Sequence, residues 1–245
     1  MKDVIVIKIG GVASRSLTAD FLNQIKIWTD AGKAVLIVHG GGFAIDQMMK
    51  DHQRPIQKVN GLRVTAKLDM PLIKTALTER VGKALAQQLN QAGINALTVD
   101  ADLQEIVQAD FLQKDLYGYV GQVSAVVKAP LLDFLERGLV PLLPSLGYSH
   151  QGEVLNINAD YLARAVAQAL SAEKFILMTD VPGVLEKGTV LEHLPLSAIQ
   201  KKIADGTITG GMIPKVESAA ETVLAGVEQV LIGDRLNRGT LIQKG

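Results

Sequence analysis

The sequence predicts an α/β fold on a mainly parallel sheet, and three observations predict it. Short apolar runs without polar alternation, Val4 to Ile9, Val35 to Val38, Leu139 to Leu143 and Phe175 to Met178, read as strands covered on both faces. Segments with apolar residues at helical spacing lie between such runs. The first two strands also end in glycines, Gly10-Gly11 and Gly40-Gly41-Gly42, which is the strand-turn-helix punctuation of βαβ units.

Composition bounds the function. The chain has 245 residues, 48% of them hydrophobic, enough for one large domain or two closely joined lobes. Acidic and basic residues number 25 each, so neither nucleic acid nor an anionic membrane is expected as a main partner, and any positive field is concentrated at a site. The absence of Cys excludes disulfides, thiolate metal sites and cysteine nucleophiles, and fits a reducing compartment. Met1-Lys2-Asp3 leads straight into a strand rather than a signal peptide, and no apolar stretch reaches the roughly 18 to 20 residues of a membrane span. The expected location is cytoplasmic.

In Val4 to Ile9 one charge, Lys8, interrupts the β-branched run. It either snorkels from an edge strand or stands at the strand's carboxyl end, where open α/β sheets place ligands. Leu17 to Ala31 carries an apolar stripe at Leu17, Phe21, Leu22, Ile25 and Trp28 and is closed by Gly32, as a helix would be. Val35 to Val38 follows, then His39-Gly40-Gly41-Gly42 and a helix over Ala44 to Met49. Three glycine amides at a helix start outline an anion site, although a tight turn alone also asks for glycine. Other meanings of these letters fail. There is no G-x-S-x-G, the dinucleotide fingerprint breaks at Ile45, and no G-x-x-x-x-G-K-[ST] occurs. A right-handed βαβ opening puts both glycine turns at one end of the sheet, so Lys8 and the triglycine amides could face one cavity. His39 is assigned a positioning role rather than metal ligation, because no H-x-x-x-H spacing exists.

Gln57 to Thr65 contains Asn60-Gly61 between short β-like runs, a hairpin signal. Arg63 just beyond it is either solvated or a clamp for a carboxylate. Leu68 to Ala92 is expected as one long helix stopped by Gly93, and Asn95 to Asp100 as a strand. Ile106 to Ala109 and Tyr117 to Val127 look like hairpins on the sheet's rim. Pro130 opens a helix over Leu131 to Arg137 before the strand Leu139 to Leu143. The first lobe is expected to close near residue 150. No linker composition marks the boundary, so lobes 1–150 and 151–245 are expected to share a continuous sheet.

In the second half, Val154 to Asp160 places Asn156 and Asn158 on one side of an extended segment, with Asp160 opening a helix over Tyr161 to Leu170. Asn158 and Asp160 both suit helix caps, yet two amides and a carboxylate exceed what one cap needs. After Phe175 to Met178, Thr179-Asp180-Val181-Pro182-Gly183 is either a plain turn or a ligand-facing loop. A helix is expected over Leu194 to Ile203. Thr207 to Lys215 reads TITGGMIPK, with Pro214 at a helix start and Lys215 in the first turn. A cation there opposes the macrodipole by about 0.3 to 1 kcal/mol, which is out of place unless an anion binds. A helix over Val216 to Ala225, a strand over Gln229 to Ile232 and a last edge strand over Gly239 to Gln243 close the chain.

Six motifs in order carry a family resemblance: IKIGG at Ile7 to Gly11, HGGG at His39 to Gly42, NGLRVT at Asn60 to Thr65, NINAD at Asn156 to Asp160, TDVPGV at Thr179 to Val184 and GGMIPK at Gly210 to Lys215. The chain resembles the amino-acid kinase family over essentially its whole length, and within it the branch that acts on N-acetyl-L-glutamate in arginine synthesis. The resemblance implies an open αβα sandwich, hairpins on the N-terminal lobe, an acceptor-binding and dimerising N-terminal lobe and an ATP-binding C-terminal lobe. It implies phosphoryl transfer from ATP, with Mg2+ held mainly by the nucleotide phosphates, to the substrate's γ-carboxylate. By the family's pattern Lys8 and Lys215 contact the transferring group and Asp160 fixes the two lysines. Gly10, Gly11, Gly41 and Gly42 offer amides to phosphate or substrate. Arg63 and Asn156 hold the α-carboxylate, and Asn158 orients the substrate. Thr179, Asp180, Val181, Gly183, Val184 and Leu185, with Thr207, Ile208, Thr209, Gly211 and Met212, line the nucleotide site. The short loop at Glu186 to Gly188 departs from the commoner pattern and leaves nucleotide contacts there open. A strand starting near Asp3 with no preceding helix implies a homodimer that arginine does not inhibit. An acceptor one methylene longer, N-acetyl-L-aminoadipate, remains an alternative, since a methylene is worth only about 1 to 3 kcal/mol of discrimination.

Overall fold

The computed structural model describes residues 3–10 and 16–244. The chain opens with β1 (Val4–Ile9), α1 (Ala19–Asp30), β2 (Ala34–His39) and α2 (Gly42–Asp51), then the small hairpin β3 (Lys58–Val59) and β4 (Leu62–Arg63). A long helical stretch follows, with α3 (Met70–Thr75), a π-helical segment (Ala76–Gly82) and α4 (Lys83–Gln91). Next come β5 (Ala96–Thr98), α5 (Leu103–Ile106), β6 (Val107–Phe111), α6 (Lys114–Tyr117), β7 (Val120–Val126), α7 (Lys128–Glu136), β8 (Val140–Pro144) and β9 (Leu146–Tyr148). The second half has β10 (Val154–Ile157), α8 (Ala159–Ala169), β11 (Lys174–Met178), the hairpin β12 (Leu185–Glu186) and β13 (Thr189–Val190), and β14 (His193–Pro195). It ends with α9 (Leu196–Ala204), α10 (Met212–Leu224), β15 (Gln229–Gly233) and β16 (Thr240–Gln243).

Among the described residues, one eight-stranded sheet runs in the order β14-β16-β15-β11-β1-β2-β8-β5. Every neighbouring pair is parallel except β15 with β16. The apolar runs are continuous because helices cover the strands: α1, α7 and α8 pack on β2, and α10 on β15. β1 lies at the centre between β2 and β11, so Lys8 is not on an edge strand. It stands level with Val38 of β2 and Leu177 of β11. Ile9 is level with His39, which puts both glycine turns at the carboxyl end of the sheet as the βαβ geometry requires. One sheet therefore joins strands from both halves of the chain. No helix among the described residues is long and apolar enough to cross a membrane.

Three expectations about elements are corrected. Ile106 to Ala109 and Tyr117 to Val127 are not hairpins on the rim of the main sheet. β6 and β7 pair antiparallel, and their free edges are taken by β9 and β10, closing a separate four-stranded barrel in the order β10-β7-β6-β9. β10, beyond residue 150, thus pairs with strands of the first half. Closure depends on small residues: a Cβ on Gly147 would meet Ile157 Cδ1 at 2.6 Å, and one on Gly121 would meet Leu155 Cβ at 2.9 Å. β16 is not the edge strand, because β14 pairs with it on its outer side. The helix expected over Leu68 to Ala92 is interrupted by the π-helical segment, which an apolar stripe of helical period does not reveal.

Candidate functional site

At the carboxyl end of β1, Lys8 Nζ lies 2.8 Å from Asp160 Oδ1, with the lysine side chain only 15% exposed. Gly10 leaves room for that ammonium: a Cβ there would stand 3.0 Å from Lys8 Nζ. At the end of β2, Gly41 caps α2 without any side-chain hydrogen bond, so the first amides of the helix keep their donors for an anion. The loop is backed by the π-helical segment. A Cβ on Gly41 would stand 2.8 Å from Leu77 Cδ2 and 2.9 Å from Val81 Cγ2, whereas one on Gly42 would meet nothing within 4 Å. Gly11 lies outside the described residues.

His39 is fully buried, and its Nδ1 donates to the Gly40 carbonyl at 3.1 Å. Burial pushes its pKa down to about 4, with the Gly40 contact opposing. The imidazole is neutral at pH 7 and braces the turn from behind.

On the hairpin, Arg63 Nη2 pairs with Asp46 of α2. The arginine side chain is 9% exposed, and its Nη1 is buried with no hydrogen-bond partner. Asn156 of β10 donates through Nδ2 to the buried Thr65 hydroxyl at 3.3 Å. Of the two residues weighed as caps, Asn158 is the cap of α8, its Oδ1 accepting from the Asp160 amide at 2.8 Å and the Tyr161 amide at 3.4 Å. Asp160, in the first turn, is left to pair with Lys8. These groups converge: Lys8, Gly10, Gly40 to Gly42, Arg63, Asn156, Asn158 and Asp160 line one cleft of about 270 Å³.

Sequence reasoning missed three residues of this cleft and its support. Lys58 stands opposite Arg63 in the hairpin register and lines the cleft. Ser145, also lining it, donates its amide to His39 O at 3.1 Å and accepts from the Ile157 amide at 3.0 Å, linking sheet to barrel. Nothing in the local sequence marks Ser145. Asp46 had one visible signal, a carboxylate about one turn beyond the glycines.

The second lysine comes from elsewhere. Lys215 lies within α10, whose cap, Gly211, makes no side-chain hydrogen bond and whose first turn has no acidic residue. Its Nζ donates to Thr179 Oγ1 at 3.3 Å, just past β11, and Thr179 in turn donates to Asp180 Oδ1 at 3.0 Å. Asp180 is exposed. Its carboxyl is held below its ordinary value by the Thr179 hydroxyl first, then its own amide, then the charges of Lys215 and Lys8. Both lysines thus favour the ionised form of Asp180. The structure pairs Asp160 with Lys8 and gives Lys215 to Thr179, rather than tying both lysines to Asp160. Further along, Gly183 and Val184 are buried, the Val184 amide donating to Thr240 Oγ1 at 2.8 Å. Val181 follows the Asp180 turn, Leu185 and Glu186 form β12, and Lys187 and Gly188 make the tight turn of the β12–β13 hairpin. Thr207 to Met212 leads into α10, with Ile208 buried and Thr209 to Gly211 exposed. No group of three or more His, Cys, Asp or Glu among the described residues could hold a metal ion.

Fold and site define an open α/β protein that gathers cations and glycine amides at the carboxyl ends of parallel strands, an arrangement suited to holding anions together. The chain belongs to the amino acid kinase family, whose sequence profile matches residues 3–234. It is similar to an acetylglutamate kinase of Streptococcus mutans, with 59% identity over 242 residues covering 99% of each chain. A crystal structure of smu.665 from Streptococcus mutans UA159 superposes with a TM-score of 0.90 at 58% identity, covering all of both chains. A carbamate kinase from Giardia lamblia bound to AMP-PNP superposes with a TM-score of 0.72 over 100% of this chain and 99% of that one, and at 18% identity it speaks for the fold alone.

Proposed function

We propose that the protein transfers the γ-phosphoryl group of ATP to the γ-carboxylate of N-acetyl-L-glutamate, forming the acyl phosphate of arginine synthesis. The observation that carries this reading is the cleft in which Arg63, with a buried and unmet guanidinium nitrogen, shares a wall with the glycine loop and Lys8. Relatives named acetylglutamate kinase match over the full chain at up to 59% identity, which supports the same acceptor.

The chemistry asks little of a base. A carboxylate is already ionised at neutral pH, so the difficulty is to bring two anions into line without repulsion. In this reading Lys8 and Lys215 offset charge on the transferring group, and the Gly10, Gly11, Gly41 and Gly42 amides hold its oxygens. Arg63 and Asn156 hold the acceptor's α-carboxylate, while Asn158 orients the acceptor and sets the start of α8. Asp160 fixes Lys8. The nucleotide lies along Thr179 to Leu185 and Thr207 to Met212, with its phosphates toward the uncapped start of α10. Mg2+, bound by the nucleotide phosphates, would neutralise part of their charge; the described residues supply no acidic cage of their own. A homodimer and a cytoplasmic setting belong to the same reading.

The test is ADP release with the acyl phosphate trapped as hydroxamate, comparing N-acetyl-L-glutamate, L-glutamate and N-acetyl-L-aminoadipate. The expected result is a clear preference for N-acetyl-L-glutamate. A preference for the longer acceptor moves the pathway, and no turnover with any of the three, from folded protein that binds ATP, defeats the reading.

A further inference from the structure

We propose that Asp46 is a positioning residue for the acceptor: its ion pair with Arg63 aims the guanidinium and fixes the hairpin against the helix that begins at the glycine loop. The inference rests on the acceptor reading above. Arg63 sits on a hairpin whose strands are two residues each, and a two-stranded hairpin has little stability of its own. Elsewhere the hairpin is tied by Asn60 Nδ2 donating to Tyr117 Oη at 3.3 Å and by the Thr65 amide donating to the Tyr117 carbonyl at 2.9 Å. Neither contact reaches the guanidinium. Asp46 does, and it lies on α2 itself, about one helical turn beyond Gly42. The pair therefore sets the distance between the arginine and the amides at the helix start.

The guanidinium has a rigid fork geometry. With Nη2 held by Asp46, its plane is fixed, and Nη1 is left buried without a partner, a donor that a ligand carboxylate would satisfy. Lys8 is already paired with Asp160, and Lys58 is exposed on the neighbouring strand, so neither replaces Asp46 as the brace. The positioning role has a sign opposite to simple electrostatics. Removing a carboxylate from an anion-binding cleft should improve anion binding if charge alone mattered, whereas removing the brace should weaken it.

The experiment combines kinetics and spectroscopy on Asp46→Asn and Asp46→Glu, each alone and with Arg63→Ala. Asp46→Asn is expected to raise the KM for N-acetyl-L-glutamate about 10-fold and to leave that for ATP within about twofold, the size of one charge-assisted hydrogen bond on one ligand. Asp46→Glu should recover part of the loss, and Asp46→Asn should add nothing once Arg63 is absent. A lowered acceptor KM, equal rises for both substrates, or additive losses in the double variant overturn the proposal. Arginine side-chain NMR gives a readout that needs no turnover. The Arg63 Nε–Cζ signal, assigned by its loss in Arg63→Ala, should be rigid in the parent protein and averaged in Asp46→Asn. If the parent turns over no N-acetyl-L-glutamate, the acceptor reading falls, and a guanidinium that stays rigid without the Asp46 charge sinks the present inference separately.

Discussion

The two sides of the cleft are built differently. On the proposed acceptor side the main polar groups are half-buried and tied. Arg63 is held by Asp46, Asn156 by a fully buried threonine, and Lys8 by Asp160. On the proposed nucleotide side, Asp180 and Thr209 to Gly211 lie exposed on loops, and Lys215 is held by one hydroxyl. Both sides meet at the carboxyl end of the same sheet, yet only one is preorganised by its surroundings. The contrast suits their tasks. A small acceptor must be told from close analogues by fixed partners, while a polyphosphate can be held by any row of amides at a helix start.

The largest effect expected is on the lysines that join the two sides. Lys8→Ala and Lys215→Ala should each lower kcat by about 10² to 10³, the usual loss for one preorganised charge contact in a transition state. Thermal melting should change little, because Asp160 is 40% exposed and can be solvated once Lys8 is gone. Wild-type turnover in either variant would remove that lysine from the reacting centre.

Backbone tolerance should differ between the sides as well. Gly118 adopts φ +68°, and a Cβ there would lie 2.2 Å from the Thr65 carbonyl oxygen, beside the residue that holds Asn156. Gly210 adopts φ +54° with nothing within 4 Å. Gly118→Ala should therefore cost about 3 kcal/mol or more, from strain and displaced backbone together, and Gly210→Ala about 1 kcal/mol from backbone conformation alone. Urea midpoints measure both, and equal losses would break the contrast.

His39 gives a pH signature to the buried side. Its folded pKa of about 4 lies below the ordinary 6.5, so between those values the unfolded chain binds a proton that the folded protein does not. Stability is full above pH 6.5 and is lost as pH falls toward 4, by about 3 kcal/mol in total. Glu153, held below its ordinary 4.5 by the Tyr119 hydroxyl first, adds its loss only at lower pH. His39→Gln should flatten the urea-stability profile between pH 7 and 5, and an unchanged slope would mean that the imidazole is not the group responsible.

The sequence made the sheet legible where chemistry is local. Unbroken apolar runs marked the central strands, and glycines at their ends marked the anion loop. Lys8 stood out because a charge in a buried strand is costly. Long-range pairing was not legible. Nothing in Val154 to Ile157 says that β10 closes a barrel with β7 and β9, or that Asn156 meets Thr65 from 91 positions away. The contact of Lys215 with Thr179 was not legible for the same reason, since a helix and a loop 36 positions apart supply it. Asp46 was passed over because a carboxylate on an amphipathic helix beside Ile45 and Met48 looks like part of a solvated face until the hairpin folds onto it.

Single-ligand effects sharpen the comparison most finely. Arg63 faces only the acceptor in the proposed arrangement, so Arg63→Ala should raise the acceptor KM about 10- to 100-fold while the ATP KM moves less than about threefold. On the other side, Thr179→Val keeps the threonine's branched shape and deletes the hydroxyl that anchors Lys215 and lowers the Asp180 pKa. It should raise the ATP KM by a factor of about 3 to 10 and leave the acceptor KM in place, the smaller effect because the half-buried hydroxyl acts on ATP only by holding Lys215. The two variants then form a crossed pair. If each shifts both Michaelis constants alike, the sides communicate through closure of the whole cleft, and the division between a preorganised acceptor wall and an adaptable nucleotide wall does not hold.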